Sequence, residues 1–250
     1  MKIILSAILL SMCSLLAAQD FTVIKELLNE DKIKTAQESA KKLLNDFPES
    51  AEAHYWLGAC MYRIYASSVF NPNKEVNSII DAGIAFEKAE YLDNQCAKKA
   101  DNYLILKAYS SKVFNLGVLS YQKKEIDMAF TYFKMSTNAS EWIGVSDKES
   151  LYYAGHCANQ MEDYKTAKKF LEKSVVEEPS NTMAVKELCK SYTNLNELDQ
   201  AKNLLKTSLV QTPNEANLWY ELMNVTANMT QPEESLEAAK TLSHLEANNP

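Results

Sequence analysis

The chain has 250 residues, of which 46% are hydrophobic and 24% are charged, and this balance excludes an intrinsically disordered protein. With only 5 glycines and 6 prolines, the chain has few of the residues that β-hairpins need, which favours an all-α fold. The net charge of −7 and the absence of a basic block argue against binding to nucleic acid or to an acidic membrane surface.

Residues 1–18 have the pattern of a signal peptide. Lys2 supplies a positive start, and the apolar run that follows, about 14 residues, is too short to span a bilayer. Small residues before a cleavage site after Ala18 predict export to the periplasm or out of the cell, with no membrane insertion after cleavage. The alternative is a lipoprotein anchored through Cys13, although Met12 is larger than the residue that such processing prefers.

Four cysteines would remain in the exported chain: Cys60, Cys96, Cys157 and Cys189. They form no CxxC motif and are widely spaced, so neither a zinc site nor a redox motif is predicted. Buried thiols are the simpler expectation. If a disulfide forms in an oxidising compartment, Cys157 and Cys189 are the best pair, because both would lie on neighbouring helices.

A repeat of 34 residues runs through the chain. The pairs that match at this spacing are Ala167 and Ala201, Leu171 and Leu205, Ser174 and Ser208, and Pro179 and Pro213. Three glycines, Gly58, Gly117 and Gly155, share one position of the upstream helices. Since a glycine inside a helix costs about 1 kcal/mol relative to alanine, its recurrence predicts a close helix–helix contact at that position.

This pattern resembles the tetratricopeptide repeat, whose unit is a helix–turn–helix of 34 residues. The resemblance places a repeat array over residues 19–250, with units at 17–50, 51–96, 110–143, 148–181, 182–215 and 216–249. It implies an all-α, right-handed α-solenoid of about six hairpins, in which the first helix of each hairpin lines a concave groove. With its predicted signal peptide, the chain also resembles small tetratricopeptide proteins of the bacterial envelope.

Repeats two and three are longer than the unit. Apolar residues keep helical spacing on both sides of an Asn71-Pro72-Asn73 turn, which predicts extra helix on both arms of a taller hairpin. The next helix, from about Ala97 to Tyr121, is predicted to be long as well and to pack against the extended arm. Phe70, near the tip, makes this ridge a second candidate partner site.

Carried onto this chain, the groove positions of the family predict a partner-binding face rich in aromatic and amide side chains. The predicted site residues are Tyr55, Tyr62, Arg63, Phe114, Tyr121, Tyr152, Tyr153, His156, Asn159, Lys186, Lys190, Tyr220 and Asn224. Gln160 and Glu187 also occupy groove positions. Tyrosine joins an apolar ring to a polar hydroxyl, which suits a partly hydrated recognition surface, and packing of the same rings in the core is the alternative.

The carboxylate clamp of chaperone-binding tetratricopeptide domains is absent, because Tyr55 and Ala59 occupy the positions of its Lys and Asn. No catalytic motif is present, and each of the three histidines stands alone on a predicted helix. We therefore predict a non-catalytic scaffold of the cell envelope, without metal or cofactor, that binds a peptide or a partner helix in its groove.

A glycan-binding component of an envelope or secretion machine is the alternative function, because tyrosine rings with Asn and Gln nearby also bind sugars. The final helix carries Leu242 and Leu245 and is followed by no capping helix, which predicts weak homodimerisation through that helix.

Overall fold

The computed structural model describes residues 21–67 and 76–247, and every regular element in these ranges is helical. The helices are α1 (residues 21–29), α2 (Ile33–Asp46), α3 (Ala51–Ser67), α4 (Val76–Leu92), α5 (Ala100–Gln122), α6 (Ile126–Trp142), α7 (Lys148–Gln160), α8 (Tyr164–Glu177), α9 (Thr182–Asn194), α10 (Leu198–Gln211), α11 (Ala216–Asn228) and α12 (Pro232–Ala247). The predicted all-α fold is confirmed. Of the helices described, none is both long and apolar enough to cross a membrane.

Three predictions concern parts of the chain outside the described residues. They are the signal peptide of residues 1–18 with the alternative lipid anchor at Cys13, the Asn71-Pro72-Asn73 turn, and the position of Phe70 at its tip. Export, lipidation and the ridge as a partner site therefore stay predictions.

The chain forms two compact units. The first comprises residues up to Ser111 together with Asn138–Val145, and the second comprises Lys112–Thr137 together with residues from Ser146 onward. Helices α5 and α6 each contribute to both units. In the first unit α3 packs against α2 and α4, and in the second unit each helix from α7 to α12 packs against the next. The first helices of neighbouring hairpins also meet there, α7 against α9 and α9 against α11.

A left-handed backbone turn separates the two helices of five predicted hairpins. The residues in this conformation have φ between 57° and 63° and are Asp31, Lys124, Glu162, Asn196 and Thr230. Each is the fifteenth residue of its predicted repeat, and the last three follow one another at intervals of 34 residues. The turn is closed by hydrogen bonds such as the one that Asp163 N donates to the Ala158 carbonyl at 3.0 Å, which satisfies the free carbonyls at a helix end. The backbone thus has the same period as the sequence.

The three recurrent glycines lie where the two helices of a hairpin touch. A Cβ atom built on Gly155 would stand 2.4 Å from Leu171 Cγ, and one built on Gly58 or Gly117 would stand 2.8 Å from an aromatic ring. These rings are those of Phe86 and Phe133, respectively. The prediction of close helix–helix contact at these positions is confirmed.

We expect Gly155→Ala to destabilise the folded chain by about 1–2 kcal/mol, because overpacking against Leu171 outweighs the gain of about 1 kcal/mol in helix propensity. The measurement is urea denaturation of the variant beside the wild type. In a Leu171→Ala background the same substitution should be neutral or stabilising, because the colliding side chain is gone. An equal loss of stability in both backgrounds would contradict this explanation.

The elongation predicted for repeats two and three is present in the helix lengths. Helices α3, α4 and α6 have 17 residues and α5 has 23, whereas α7, α9 and α11 each have 13. The long helix starts at Ala100 rather than Ala97, because Cys96–Lys98 form a separate 3-10 turn. Buried Tyr109 fixes α5 to α4, since its hydroxyl donates to the Ile79 carbonyl at 3.2 Å.

All four cysteines of the described residues are buried free thiols, and Cys157 and Cys189 are not joined. Burial raises the pKa of the Cys60, Cys157 and Cys189 thiols to about 12, and that of Cys96 to about 11. They therefore stay protonated at neutral pH and act as small apolar core residues.

Candidate functional site

Rings from α5, α6 and α7 form one cluster in the second unit. We call it the aromatic cluster, and its members are Phe114, Tyr121, Phe133, Tyr152, Tyr153 and His156. Tyr153 lies at its centre: it stacks on Phe133 with ring centroids 5.0 Å apart and meets Tyr121 at 6.0 Å. Phe133 is fully buried, and its ring supports one face of the Tyr153 ring. The cluster thus brings together five of the predicted site residues: Phe114, Tyr121, Tyr152, Tyr153 and His156.

His156 connects the rings through hydrogen bonds. Its Nε2 lies 2.7 Å from the Gln160 side-chain nitrogen and 2.8 Å from the Tyr121 hydroxyl. An amide nitrogen can only donate, so Nε2 is the acceptor and the ring proton of neutral His156 resides on Nδ1. The imidazole also stacks on Tyr152, with centroids 5.8 Å apart and ring planes 15° apart. The His156 ring is therefore held at one edge by hydrogen bonds and at one face by stacking on Tyr152.

A carboxylate from α9 faces the other edge of the imidazole. Glu187 Oε1 lies 2.9 Å from His156 Nδ1, although the pair is not aligned as a hydrogen bond, and Oε2 accepts a hydrogen bond of 2.7 Å from Asn159 Nδ2. Burial raises the pKa of Glu187, but the contacts with His156 and Asn159 and the charge of Lys190 outweigh it, so the pKa lies below its usual range. Glu187 is therefore ionised at neutral pH.

Asn159 positions this carboxylate from within the core. The side chain is only 1% exposed, and its Nδ2 also donates to the Glu187 backbone carbonyl at 2.9 Å. Its Oδ1 accepts a hydrogen bond of 2.8 Å from the hydroxyl of buried Ser191. The prediction that Asn159 faces a ligand is wrong, because every polar atom of its side chain is engaged with α9.

The aromatic cluster has an accessible side. Tyr121, Tyr152, Tyr153 and His156 are half-buried, and Gln160, Lys186 and Lys190 are exposed beside them. Burial, reinforced by the charge of Glu187, raises the pKa of Tyr152 to about 12, so its hydroxyl remains a hydrogen-bond donor under physiological conditions. The cluster can therefore offer ring edges and hydroxyls to a partner, and Gln160 and Glu187 beside it add an amide and a carboxylate.

Charge on this face continues to α11. Burial raises the pKa of Glu221, with Lys186 opposing the shift and Glu187 adding to it, which shows that the three side chains interact. Two predicted site residues are on the same helix: Tyr220 is 50% exposed and Asn224 is half-buried. Neither belongs to the aromatic cluster.

Residues 158–224 match the family model of the tetratricopeptide repeat. This segment carries tetratricopeptide repeats. The matched segment begins inside α7 and ends inside α11, so it includes Asn159 and Glu187. The predicted recognition of a tetratricopeptide-repeat protein is confirmed.

Solved structures share the fold of these repeats at low sequence identity. The crystal structure of YrrB, described as a TPR protein with an unusual peptide-binding site, is 18% identical over 85% of this chain and 95% of that chain, with a TM-score of 0.51. MamA from Desulfovibrio magneticus RS-1 is 15% identical over 77% and 97%, with a TM-score of 0.51. MamA MSR-1 is 18% identical over 76% and 99%, with a TM-score of 0.52. At these identities the similarity shows the fold alone. No curated protein sequence matches this chain.

In the first unit, the three residues predicted to bind a partner differ in their exposure. Tyr55 is 1% exposed, and its hydroxyl donates to the Asn102 backbone carbonyl at 3.2 Å, so the prediction that it lines a surface is wrong. Tyr62 is half-buried, with its ring edge 5.8 Å from Tyr109. Arg63 is exposed and faces Asp31 at 3.5 Å.

Two residues of the candidate site, Phe133 and Ser191, were not predicted. Phe133 carries a signal in the sequence, because Ala129 and Phe133 follow the A-x3-F pattern of the second helix in this repeat. Ser191 carries none, since a serine on a helix does not indicate which helix it will face. In the part of the chain that the structure describes, no group of three or more His, Cys, Asp or Glu side chains could hold a metal ion.

Proposed function

We propose that the chain is a non-catalytic scaffold that binds another protein, as an extended peptide or a helix, through the first-helix face of its second unit. The observation that carries this proposal is the half-accessible aromatic cluster, in which a hydrogen bond already holds Tyr121 to His156 and Glu187 contacts His156 from α9. Groups fixed before binding lose little conformational entropy when a partner arrives.

The chemistry of the face suits a polypeptide. Tyrosine rings supply large contact areas with few rotatable bonds, and they are frequent among the residues that dominate binding energy at protein interfaces. Ionised Glu187 offers an acceptor to amide or basic groups of a partner, and exposed Lys186 and Lys190 beside it offer donors. Such a surface can bind both the backbone and the side chains of a peptide.

One comparison and one prediction from the sequence accompany this proposal. The fold is shared with YrrB, which is described as having a peptide-binding site. The predicted signal peptide would deliver the scaffold to the cell envelope, where we place its function. Weak homodimerisation through α12 stays a prediction.

Glycan binding is the alternative, and the ring geometry makes it less favourable. One face of Tyr152 is covered by His156, and one face of Tyr153 is covered by Phe133. Sugars bind tyrosine by stacking on the ring face, so the area that the aromatic cluster offers to a sugar is reduced.

We expect Tyr152→Ala to weaken the binding of peptides that the wild type selects by at least about ten-fold, the usual effect of truncating a tyrosine at an interface centre. The peptides come from a displayed random 12-residue library, and affinities are measured by fluorescence anisotropy. Tyr91→Ala is the matched control, because Tyr91 is 82% exposed in the first unit and should bind as the wild type does. Circular dichroism of both variants checks the fold.

Two outcomes would contradict the proposal. One is an equal loss of affinity in Tyr91→Ala and Tyr152→Ala, which would place the peptide away from the aromatic cluster. The other is the absence of enriched peptides, combined with binding to a glycan array that Tyr152→Ala abolishes. That second outcome would establish the glycan alternative.

A further inference from the structure

A pocket lies in the first unit, lined by residues of α1, α3 and α5. It has a volume of about 470 Å³, within the range of ligand pockets in proteins. We call it the Trp56 pocket, and the lining residues that matter here are Lys25, Leu28, Trp56, Arg63, Leu104 and Ile105. Apolar side chains from three helices thus meet the cationic Lys25 and Arg63, and Asp101 lines the pocket beside Lys25.

The indole of Trp56 has an unused hydrogen-bond donor. The residue is 3% exposed, and its Nε1 has no hydrogen-bond partner among the described residues. By contrast, Trp219 in the second unit donates from Nε1 to the Pro213 carbonyl at 2.8 Å. Buried polar groups are nearly always paired, so the Trp56 donor calls for an acceptor that a ligand can supply. The Lys25 ammonium lies 5.1 Å above the ring.

Arg63 gives the pocket a group suited to carboxylates. It is the only arginine of the sequence, so the other 25 of the 26 Lys and Arg residues are lysines. A guanidinium binds a carboxylate through two parallel hydrogen bonds, which lysine cannot do. Its contact with Asp31 is long, 3.5 Å, and the two side chains are 50% and 75% exposed. The contact is loose enough for a ligand carboxylate to replace it.

Apolar surface completes the pocket. Leu104 is 68% exposed on α5 and lines the pocket together with Ile105. Lys25, in contrast to Arg63, is held by Asp101 at 2.9 Å. The pocket therefore combines a half-free guanidinium, an apolar wall and an unpaired N–H group.

We propose that the Trp56 pocket binds an acidic side chain of a partner polypeptide together with an adjacent apolar residue. The carboxylate pairs with Arg63, the apolar side chain lies against Leu104 and Ile105, and Trp56 Nε1 donates to a carbonyl of the bound segment. This inference rests on the proposed function in one respect: it takes the partner to be a polypeptide.

The test uses three octapeptides with blocked ends that differ only in the central pair: Leu-Glu, Leu-Gln or Ser-Glu. The full chain is labelled with 5-fluorotryptophan, and the ¹⁹F signals of its 3 tryptophans are recorded during titration. The Trp56 signal is assigned with Trp56→Phe. We expect Leu-Glu to shift this signal and to bind at least about ten-fold more tightly than the other two peptides, because each of them lacks one half of the recognised pair.

Variants of the chain test the role of Arg63. Arg63→Gln should weaken the Leu-Glu peptide by at least about ten-fold, and Arg63→Lys by about five-fold, because lysine keeps the charge but loses the paired geometry. Lys34→Gln is the matched control, since it removes one exposed cation from α2 without touching the pocket, and it should bind as the wild type does.

The proposal is overturned if Leu-Glu and Leu-Gln bind equally, or if the Trp56 signal stays unshifted at millimolar peptide. It is also overturned if a peptide ending in leucine with a free carboxylate binds while the blocked Leu-Glu peptide does not. If library peptides bind in a Tyr152-dependent way while the Leu-Glu peptide leaves the Trp56 signal unshifted, this inference alone fails. The loss of both kinds of binding would remove the proposed function as well.

Discussion

Replacement of Asn159 with aspartate is expected to destabilise the folded chain by about 3 kcal/mol at neutral pH. The two side chains have the same shape, so no cavity is created. The donor that now lies 2.7 Å from Glu187 Oε2 becomes an oxygen, and the hydrogen bond to the Glu187 backbone carbonyl is lost as well. Because Asn159 is 1% exposed, two carboxylates would then face each other with little water between them. Urea denaturation measures the loss.

The pH dependence of Asn159→Asp provides an internal check. Beside Glu187, the new carboxyl should have a folded-state pKa above its unfolded value of about 3.9, so the folded variant binds more protons than the unfolded one. Its stability relative to the wild type should therefore recover as the pH falls from 7 towards 5. The pKa of Glu187 itself lies below its usual range in the wild type, so its own contribution persists through this window and is lost only at lower pH.

Asn194→Asp is the matched control for this prediction. Asn194 is exposed at the end of α9, and the same change there should alter stability by no more than about 0.5 kcal/mol. If Asn159→Asp costs no more than Asn194→Asp, or if the difference does not vary with pH, then Asn159 does not hold Glu187 as the structure indicates.

Phe133→Ala is expected to cost about 3–5 kcal/mol of folding stability, because it empties a fully buried site. The ring packs against Gly117, which has no side chain to fill the space. It also stacks on the Tyr153 ring, with centroids 5.0 Å apart. Without that support Tyr153 should lose its orientation, and peptides that bind the aromatic cluster should bind more weakly. The urea midpoint and the peptide affinity measured under folded conditions report the two effects separately.

Phe130→Ala on the same helix is the control for this second prediction. Phe130 is half-buried, and its ring meets that of Phe170 with centroids 6.1 Å apart. It should lose less stability than Phe133→Ala and should leave peptide affinity unchanged. A larger loss of stability in Phe130→Ala, or an equal loss of affinity in both variants, would contradict the support that Phe133 gives to Tyr153.

The regular part of the fold could be predicted because its contacts are local. A tetratricopeptide hairpin packs mainly against itself and its neighbours, so the spacing of small and apolar residues along the chain encodes the contacts directly. Gly155 illustrates this, since its partner Leu171 belongs to the same hairpin and was visible in the same repeat. The turns at Glu162, Asn196 and Thr230 carry no glycine, yet they keep the 34-residue period, because the packing of the two helices fixes their backbone.

The candidate binding face could be predicted only in part. Tyr55, Phe114, Tyr152 and Tyr220 occupy one position of four predicted repeats, and the sequence by itself determined that this position is aromatic. The structure buries Tyr55 completely, leaves Tyr152 half-buried and exposes half of Tyr220. The difference arises from groups distant in sequence, such as the Asn102 carbonyl that accepts from Tyr55 across 47 residues.

Polar side chains show the same division. A lone His156, an Asn159 and a Glu187 on separate turns of helix signal nothing individually, because surface helices carry such residues everywhere. The packing of α7 against α9 decided which of them became buried and paired. Likewise, Trp56 and Arg63 line one pocket together with residues of α1 and α5. The sequence determined the repeating hairpins, because their period is local. Only the tertiary structure decided which side chains remained accessible to a partner, because burial depends on the helices that arrive from elsewhere in the chain.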